Sequence, residues 1–126
     1  MDGVNKQQFH YAIDVEIAPR PATRPRFSSK GQVYNDPTYK AWLKEFSDMV
    51  RKKWDHDCLT HISHIEIVFH GQSRRGDLDN YLKACLDGLV YSQVIKNDNL
   101  GVLNSIGTNF IHEKDSDPWI LIKIFP

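Results

Sequence analysis

Phe9, Tyr11, Ile13, Val15 and Ile17 alternate with His10, Asp14 and Glu16 over nine residues. A period of two sends one set of side chains to each side of an extended backbone, so Phe9 to Ile17 predicts a strand with one buried face. The pattern stops at Pro19, and Pro21 and Pro25 follow quickly. Three prolines forbid a helix and remove ladder donors, so the segment from Arg20 through Gly31 is expected to be an extended loop.

Asp36-Pro37 is a helix start, with Asp36 as N-cap and proline at the first helical position. Tyr39, Trp42, Leu43, Phe46, Val50 and Trp54 then recur at helical spacing, which predicts a helix ending near Trp54. Asp55 to Thr60 reads as a connector. Ile65, Ile67 and Phe69 alternate with Glu66, Val68 and His70, a second strand. From Asp79 to about Tyr91 the stripe of Leu82, Cys85, Leu86 and Leu89 predicts a second helix. After the polar turn Lys96 to Asn99 come two more predicted strands, about Val102 to His112 and Trp119 to Phe125, joined by a turn at Asp115 to Pro118. The expected order β-α-β-α-β-β is an α+β fold, a sheet with two main helices packed on it. At 126 residues the chain suits a single domain, residues 1–126.

Sixteen basic residues balance sixteen acidic ones, so no global field advertises a polyanionic partner, although local patches still can. Zero net charge also favours self-association. Cys58 and Cys85 have no zinc-type spacing, and Cys85 falls on the apolar helix stripe as a small buried hydrophobe. No leading apolar run or membrane-length stretch is present, so the reading is a reduced, cytoplasmic protein with no membrane partner. The histidines at 10, 56, 61, 64, 70 and 112 match no zinc module and read as ordinary surface or half-buried residues, His70 being nearest the acidic motif.

The chemistry concentrates in Arg74-Arg75-Gly76-Asp77-Leu78-Asp79-Asn80-Tyr81-Leu82-Lys83. Asp77 and Asp79 project to one side of an extended segment, Asp79 and Lys83 share a helical face, and Asp98 follows in the next turn. Carboxylates converging from separate elements are what a hard divalent cation requires. Each also has a plain structural reading: Asp79 or Asn80 as a helix cap, and Asp79 with Lys83 as a surface ion pair. Arg20, Arg24, Arg26 and Lys30 lie within eleven acid-free residues, and Arg74 and Arg75 precede the acidic motif. Guanidinium groups beside carboxylates suit a polyanion that must approach them, whereas a solvated loop needs charge only for solubility. Phe27 and Tyr34 are candidates for base stacking, or for core or dimer packing.

RRGDLDNYLKACLDGL, followed by NDNLGV and preceded by PRPATRPRF, resembles the RusA-type Holliday-junction resolvases, a family common in phages and prophages. The resemblance implies that Asp77, Asp79 and Asp98 bind metal, Mg²⁺ or Mn²⁺, that Lys83 is a catalytic lysine, and that Asp87 matches an acidic helix position of secondary role. It further implies a homodimer acting on branched, four-way DNA junctions in recombination and repair, in a bacterial cytoplasm. Lys83 would either stabilise charge on the phosphorane or orient the attacking water. Where some members carry two adjacent acids in the turn, Asn97 here leaves one fewer charge, which bears on metal affinity rather than reaction type. Trp42, Trp54 and Trp119 are the aromatics available for a dimer surface. The alternatives are a broader nuclease acting on flaps or branched DNA, and a non-catalytic junction-binding protein.

Overall fold

The computed structural model describes residues 10–23, 26–27, 29–31, 33–34 and 36–126, the side chains of 26, 27, 33 and 34 excepted. Its elements run β1 (Tyr11–Val15), β2 (Arg26–Phe27), β3 (Val33–Tyr34), α1 (Pro37–Lys53), β4 (His64–Gly71), α2 (Leu78–Tyr91), β5 (Ile106–His112) and β6 (Trp119–Phe125). Four strands form one sheet in the order β1-β6-β4-β5. β6 lies antiparallel to both β1 and β4, while β4 and β5 are parallel.

A parallel neighbour cannot be reached by a hairpin, so β4 and β5 need a crossover, and α2 supplies it. Both helices pack on the same side of the sheet. Ile13 and Val15 of β1, Ile65, Ile67 and Phe69 of β4, and Ile120, Ile122 and Ile124 of β6 are buried with Phe46 and Val50 of α1 and Leu89 of α2. The alternation read from the sequence is thus the side-chain pattern of a sheet covered on one face.

Asp36 caps α1 as expected, its Oδ1 accepting from the Thr38 backbone N–H at 2.9 Å. Cys85 is fully buried, and burial pushes its thiol pKa up. The first strand is shorter than its alternation; Phe9 lies outside the described residues. Val102 to Ser105 is not strand either: Leu103 makes one isolated bridge to Ile62, and β5 begins only at Ile106.

The proline-rich segment departs from a plain loop. β2 and β3 pair antiparallel across a turn through Ser29 to Gly31, where Gly31 takes φ +78°. Each strand contributes only two residues, so no proline has to donate inside the ladder. Of the three tryptophans, Trp42 is 8% exposed and donates from Nε1 to the Ala18 carbonyl at 2.9 Å, which removes it from any exposed interface. Trp54 packs edge-on against Tyr11 and His56, and only Trp119 lies on the uncovered side of the sheet.

Candidate active site

Parallel strands present their carboxyl ends to the loops that lead into the following helices, and ligands collect there. β4 ends at Gly71, where an added Cβ would lie 2.6 Å from the Phe110 ring. The chain then turns through Gln72 to Gly76. Gly76 takes φ +89°, a left-handed backbone that L side chains rarely adopt, and it delivers Asp77 to the N-cap of α2.

Asp77 occupies the cap position, yet its carboxylate makes no capping bond. Among the described residues its backbone carbonyl alone is used, accepting from Asn80 N at 3.1 Å and Tyr81 N at 3.4 Å. The contrast with Asp36 is direct: one aspartate of the same position spends its side chain on the helix, the other leaves it in solvent. Asp79 stands in the first turn, exposed, with no side-chain partner among the described residues. A helix N-terminus stabilises negative charge, so two carboxylates sit together there at reduced cost.

Lys83 does not close the expected pair with Asp79. Its Nζ donates instead to Asp87 Oδ1 at 3.3 Å, one turn further along α2. Asp87 also accepts from the Tyr39 hydroxyl at 2.9 Å, which ties α2 to α1. Burial, then the Asp87 bond and charge, hold the Tyr39 phenol above its ordinary range, so it stays a donor. Asp79, Lys83 and Asp87 therefore form a row down one face of α2, successive members about 6 Å apart along the axis.

Asp98 reaches the same face from the following loop. Asn97 Oδ1 accepts from the N–H groups of Asp98 at 2.7 Å and Asn99 at 3.2 Å, and Lys96 N bonds the Leu59 carbonyl. The loop is thereby held while the Asp98 carboxylate has no side-chain partner among the described residues. Asp98 lines a cavity of about 440 Å³ together with Lys83, Asp87, Tyr39, Lys40 and Thr23. The structure thus gathers Lys83, Asp87 and Asp98, and sets Asp77 and Asp79 at the helix end above them. Tyr39, whose spacing places it in the core stripe of α1, and its neighbour Lys40 are lining residues not anticipated for the site; no spacing signals a hydroxyl reaching across to α2.

Two basic groups flank this row. Arg74 and Arg75 are exposed beside a smaller cavity of about 180 Å³ with Leu78, Tyr81 and Phe110. The Tyr81 hydroxyl donates to the Arg75 carbonyl at 2.5 Å and fixes that loop to α2. The proline-rich segment is anchored too, Ala22 N donating to the Asn80 carbonyl at 2.8 Å. Arg20 is committed to structure: its guanidinium bonds Asp36 at 3.1 Å and Thr38 at 2.7 Å and lies over the Tyr39 ring. Lys30 is exposed in the turn. Arg24 and the Arg26 side chain lie outside the described residues.

The family model described as Endodeoxyribonuclease RusA matches residues 16–124. The chain belongs to the RusA endodeoxyribonuclease family. No curated protein matches the chain. RusA membership makes it a nuclease of the junction-resolvase type, and no described helix is long and apolar enough to cross a membrane.

A RusA nuclease implies a metal, and the residues present can be weighed against one. Among the described residues no three acids, histidines or cysteines converge so as to hold an ion by themselves. Asp77, Asp79 and Asp98 nevertheless keep their carboxylates exposed and, among the described residues, free of side-chain partners. Mg²⁺ keeps several waters and takes one or two carboxylates plus substrate phosphate, so an open oxygen set fits it better than a closed cage would.

Proposed function

We propose that this RusA-family protein is an Mg²⁺- or Mn²⁺-dependent endodeoxyribonuclease of the bacterial cytoplasm. In this reading it resolves four-way (Holliday) junctions by paired, symmetric nicks during recombination and repair. The observation that carries it is the Asp77 carboxylate, placed at a helix cap and left uncommitted beside Asp79. That supports catalysis over the reading in which these acids serve only as caps.

Asp77, Asp79 and Asp98 would hold the metal, whose contribution when bound is to polarise the scissile phosphate and activate the attacking water. Lys83, 64% exposed and bonded among the described residues to Asp87, can turn its ammonium toward a phosphate oxygen and offset the charge that develops there. Asp87 and Tyr39 position that lysine. Arg74 and Arg75 offset the repulsion between the acidic row and the DNA backbone. Two identical sites at fixed separation match the approximate two-fold symmetry of a junction, which is why the homodimer belongs to the proposal.

Synthetic four-way junction, flap and linear duplex, each incubated with protein in Mg²⁺ or EDTA, test the reading. Metal-dependent symmetric nicks confined to the junction are expected. Equal cutting of flaps would replace junction resolution with a broader branch-cutting nuclease, and binding without nicking in every metal would refute the catalytic assignment.

A further inference from the structure

The metal reading uses the two acids of Asp77-Leu78-Asp79 and leaves the residue between them without a role. Leu78 is 41% exposed, a large apolar side chain in the first turn of α2. It lines the cavity of about 180 Å³ with Arg74, Arg75, Gly76, Tyr81 and Phe110. None of the six is an acid, and Gly76 and Leu78 flank Asp77, so the cavity wall runs through the backbone that carries the uncommitted carboxylate. Rings make up much of that wall. Phe110 of β5 is half-buried, meets the Tyr81 ring edge-on at 5.0 Å and stacks on Phe69 at 6.3 Å. Its ring lies over Gly71, where only the missing Cβ leaves room for it. The Tyr81 hydroxyl is spent on the Arg75 carbonyl, and burial raises its phenol pKa, so its ring is what remains for a ligand. Arg74 and Arg75 are exposed at the rim, and neither guanidinium has an ion-pair partner among the described residues.

We propose that this cavity takes one unpaired nucleobase, from a nucleotide next to the phosphate at Asp77 and Asp79, stacked on Phe110 and clasped at the rim by Arg74 and Arg75. Size sets the first limit. The volume is that of roughly six waters, room for a single heterocycle and not for a base pair. Chemistry sets the second. A base offers apolar faces to rings, while its edge acceptors and flanking phosphates are what guanidinium groups bind. An apolar side chain of a protein partner would fill the cavity but leave two cations unanswered. A small anion would answer the cations and leave Leu78 and the rings in water. A nucleotide satisfies both together. A paired base cannot enter without leaving its stack, and that costs least where pairing and stacking are already interrupted. The strand-exchange point of a branched DNA is such a place. The cavity therefore gives the proposed preference for branched over linear DNA a physical source.

The inference rests on the nuclease reading for its ligand, and the experiment separates the two. Four-way junctions are made with one abasic nucleotide placed in turn at each position flanking the exchange point. Wild type and Phe110→Leu are titrated against the set by mobility shift in EDTA, and nicking is assayed separately in Mg²⁺. Leucine keeps an apolar side chain on β5 but has no π-face; circular dichroism checks that the variant folds. For wild type, an abasic nucleotide at one position should weaken binding about tenfold, the worth of one base–aromatic stack. Phe110→Leu should lose about as much on the intact junction and nothing further at that position, since each change removes the same contact. If the variant fails to fold, Leu78→Ala, at an exposed position, carries the same comparison with about a threefold loss. A scan without a costly position, or an abasic cost that persists undiminished in a folded variant, would overturn the proposal. Mg²⁺-dependent nicking with no costly position leaves the nuclease and removes the base site. A position-specific loss in EDTA with no nicking in any metal does the reverse, and a wild type that binds none of the junctions removes both.

Discussion

An aspartate at a helix cap is ordinary; an aspartate at a cap that declines to cap is not. Asp77 keeps its carboxylate in solvent, and Asp79 stands two residues on with no side-chain partner among the described residues. If these oxygens hold the catalytic metal, Asp79→Asn should abolish nicking while leaving junction binding intact or slightly tighter, because one charge repelling phosphate is gone. Nicking gels and a mobility-shift titration on the same preparation check both halves, and persistent nicking would remove Asp79 from the site. Tyr39 is the second residue of consequence, because it joins α1 to Asp87. Tyr39→Phe should cost about 1.5 to 3 kcal/mol in a denaturant melt, the worth of a hydrogen bond to a charged group. Its pH dependence has a definite sign. A phenol pKa raised on folding contributes stability that is complete below its ordinary value near 10 and is lost as pH rises beyond it. Wild type should therefore lose stability above pH ~10 more steeply than Tyr39→Phe.

At the scale of elements, α2 carries the site and is held rigidly enough to do so. It is the crossover between two parallel strands, its first turn receives the proline-rich segment through Ala22, and its far end packs on α1. At Gly88 the two helices meet so tightly that an added Cβ would lie 2.4 Å from the Phe46 ring. Phe46 is completely buried, so the ring has little room to withdraw. Gly88→Ala gains up to ~1 kcal/mol of helix propensity but overpacks the core there at about 1 to 3 kcal/mol. A net loss of stability, read as a lower melting temperature, is expected, with nicking at low temperature retained unless Lys83 and Asp87 shift. An unchanged or raised melting temperature would mean that the two helices separate more easily than their packing implies. Arg20 belongs at this scale as well, since it braces the start of α1 through Asp36 and Thr38.

For the molecule as a whole, balanced net charge hides a division of labour between faces. The helix side presents Arg74 and Arg75 next to the acidic row, and the open sheet side presents an apolar patch crossed by Asp14, Glu66 and Lys123. Arg74→Ala with Arg75→Ala should weaken junction binding and flatten its salt dependence, by about one unit of slope for each phosphate that is no longer neutralised. Arg24→Ala with Arg26→Ala makes the same prediction for the proline-rich segment. Affinities measured across a salt series check both pairs, and a slope unchanged in either would take that pair off the DNA.

Periodicity was enough for the main elements, because a buried face repeats every two residues in a strand and about every 3.6 in a helix. The starts of both helices and the burial of Cys85 follow from it locally. The acidic motif was equally legible, since DLDN with a lysine four residues after its second acid is contiguous in sequence. Short pairings were not: the β2–β3 hairpin contributes two residues a strand, too few to show a period, and Leu103 makes a lone bridge to Ile62 rather than beginning a strand. Long-range contacts belonged to the tertiary structure alone. That Lys83 bonds Asp87 rather than Asp79, that Tyr39 crosses from another helix, and that Glu66 neighbours Lys123 each join residues whose meeting depends on how elements pack. Local pattern reports which side of an element faces inward; only packing decides what it faces.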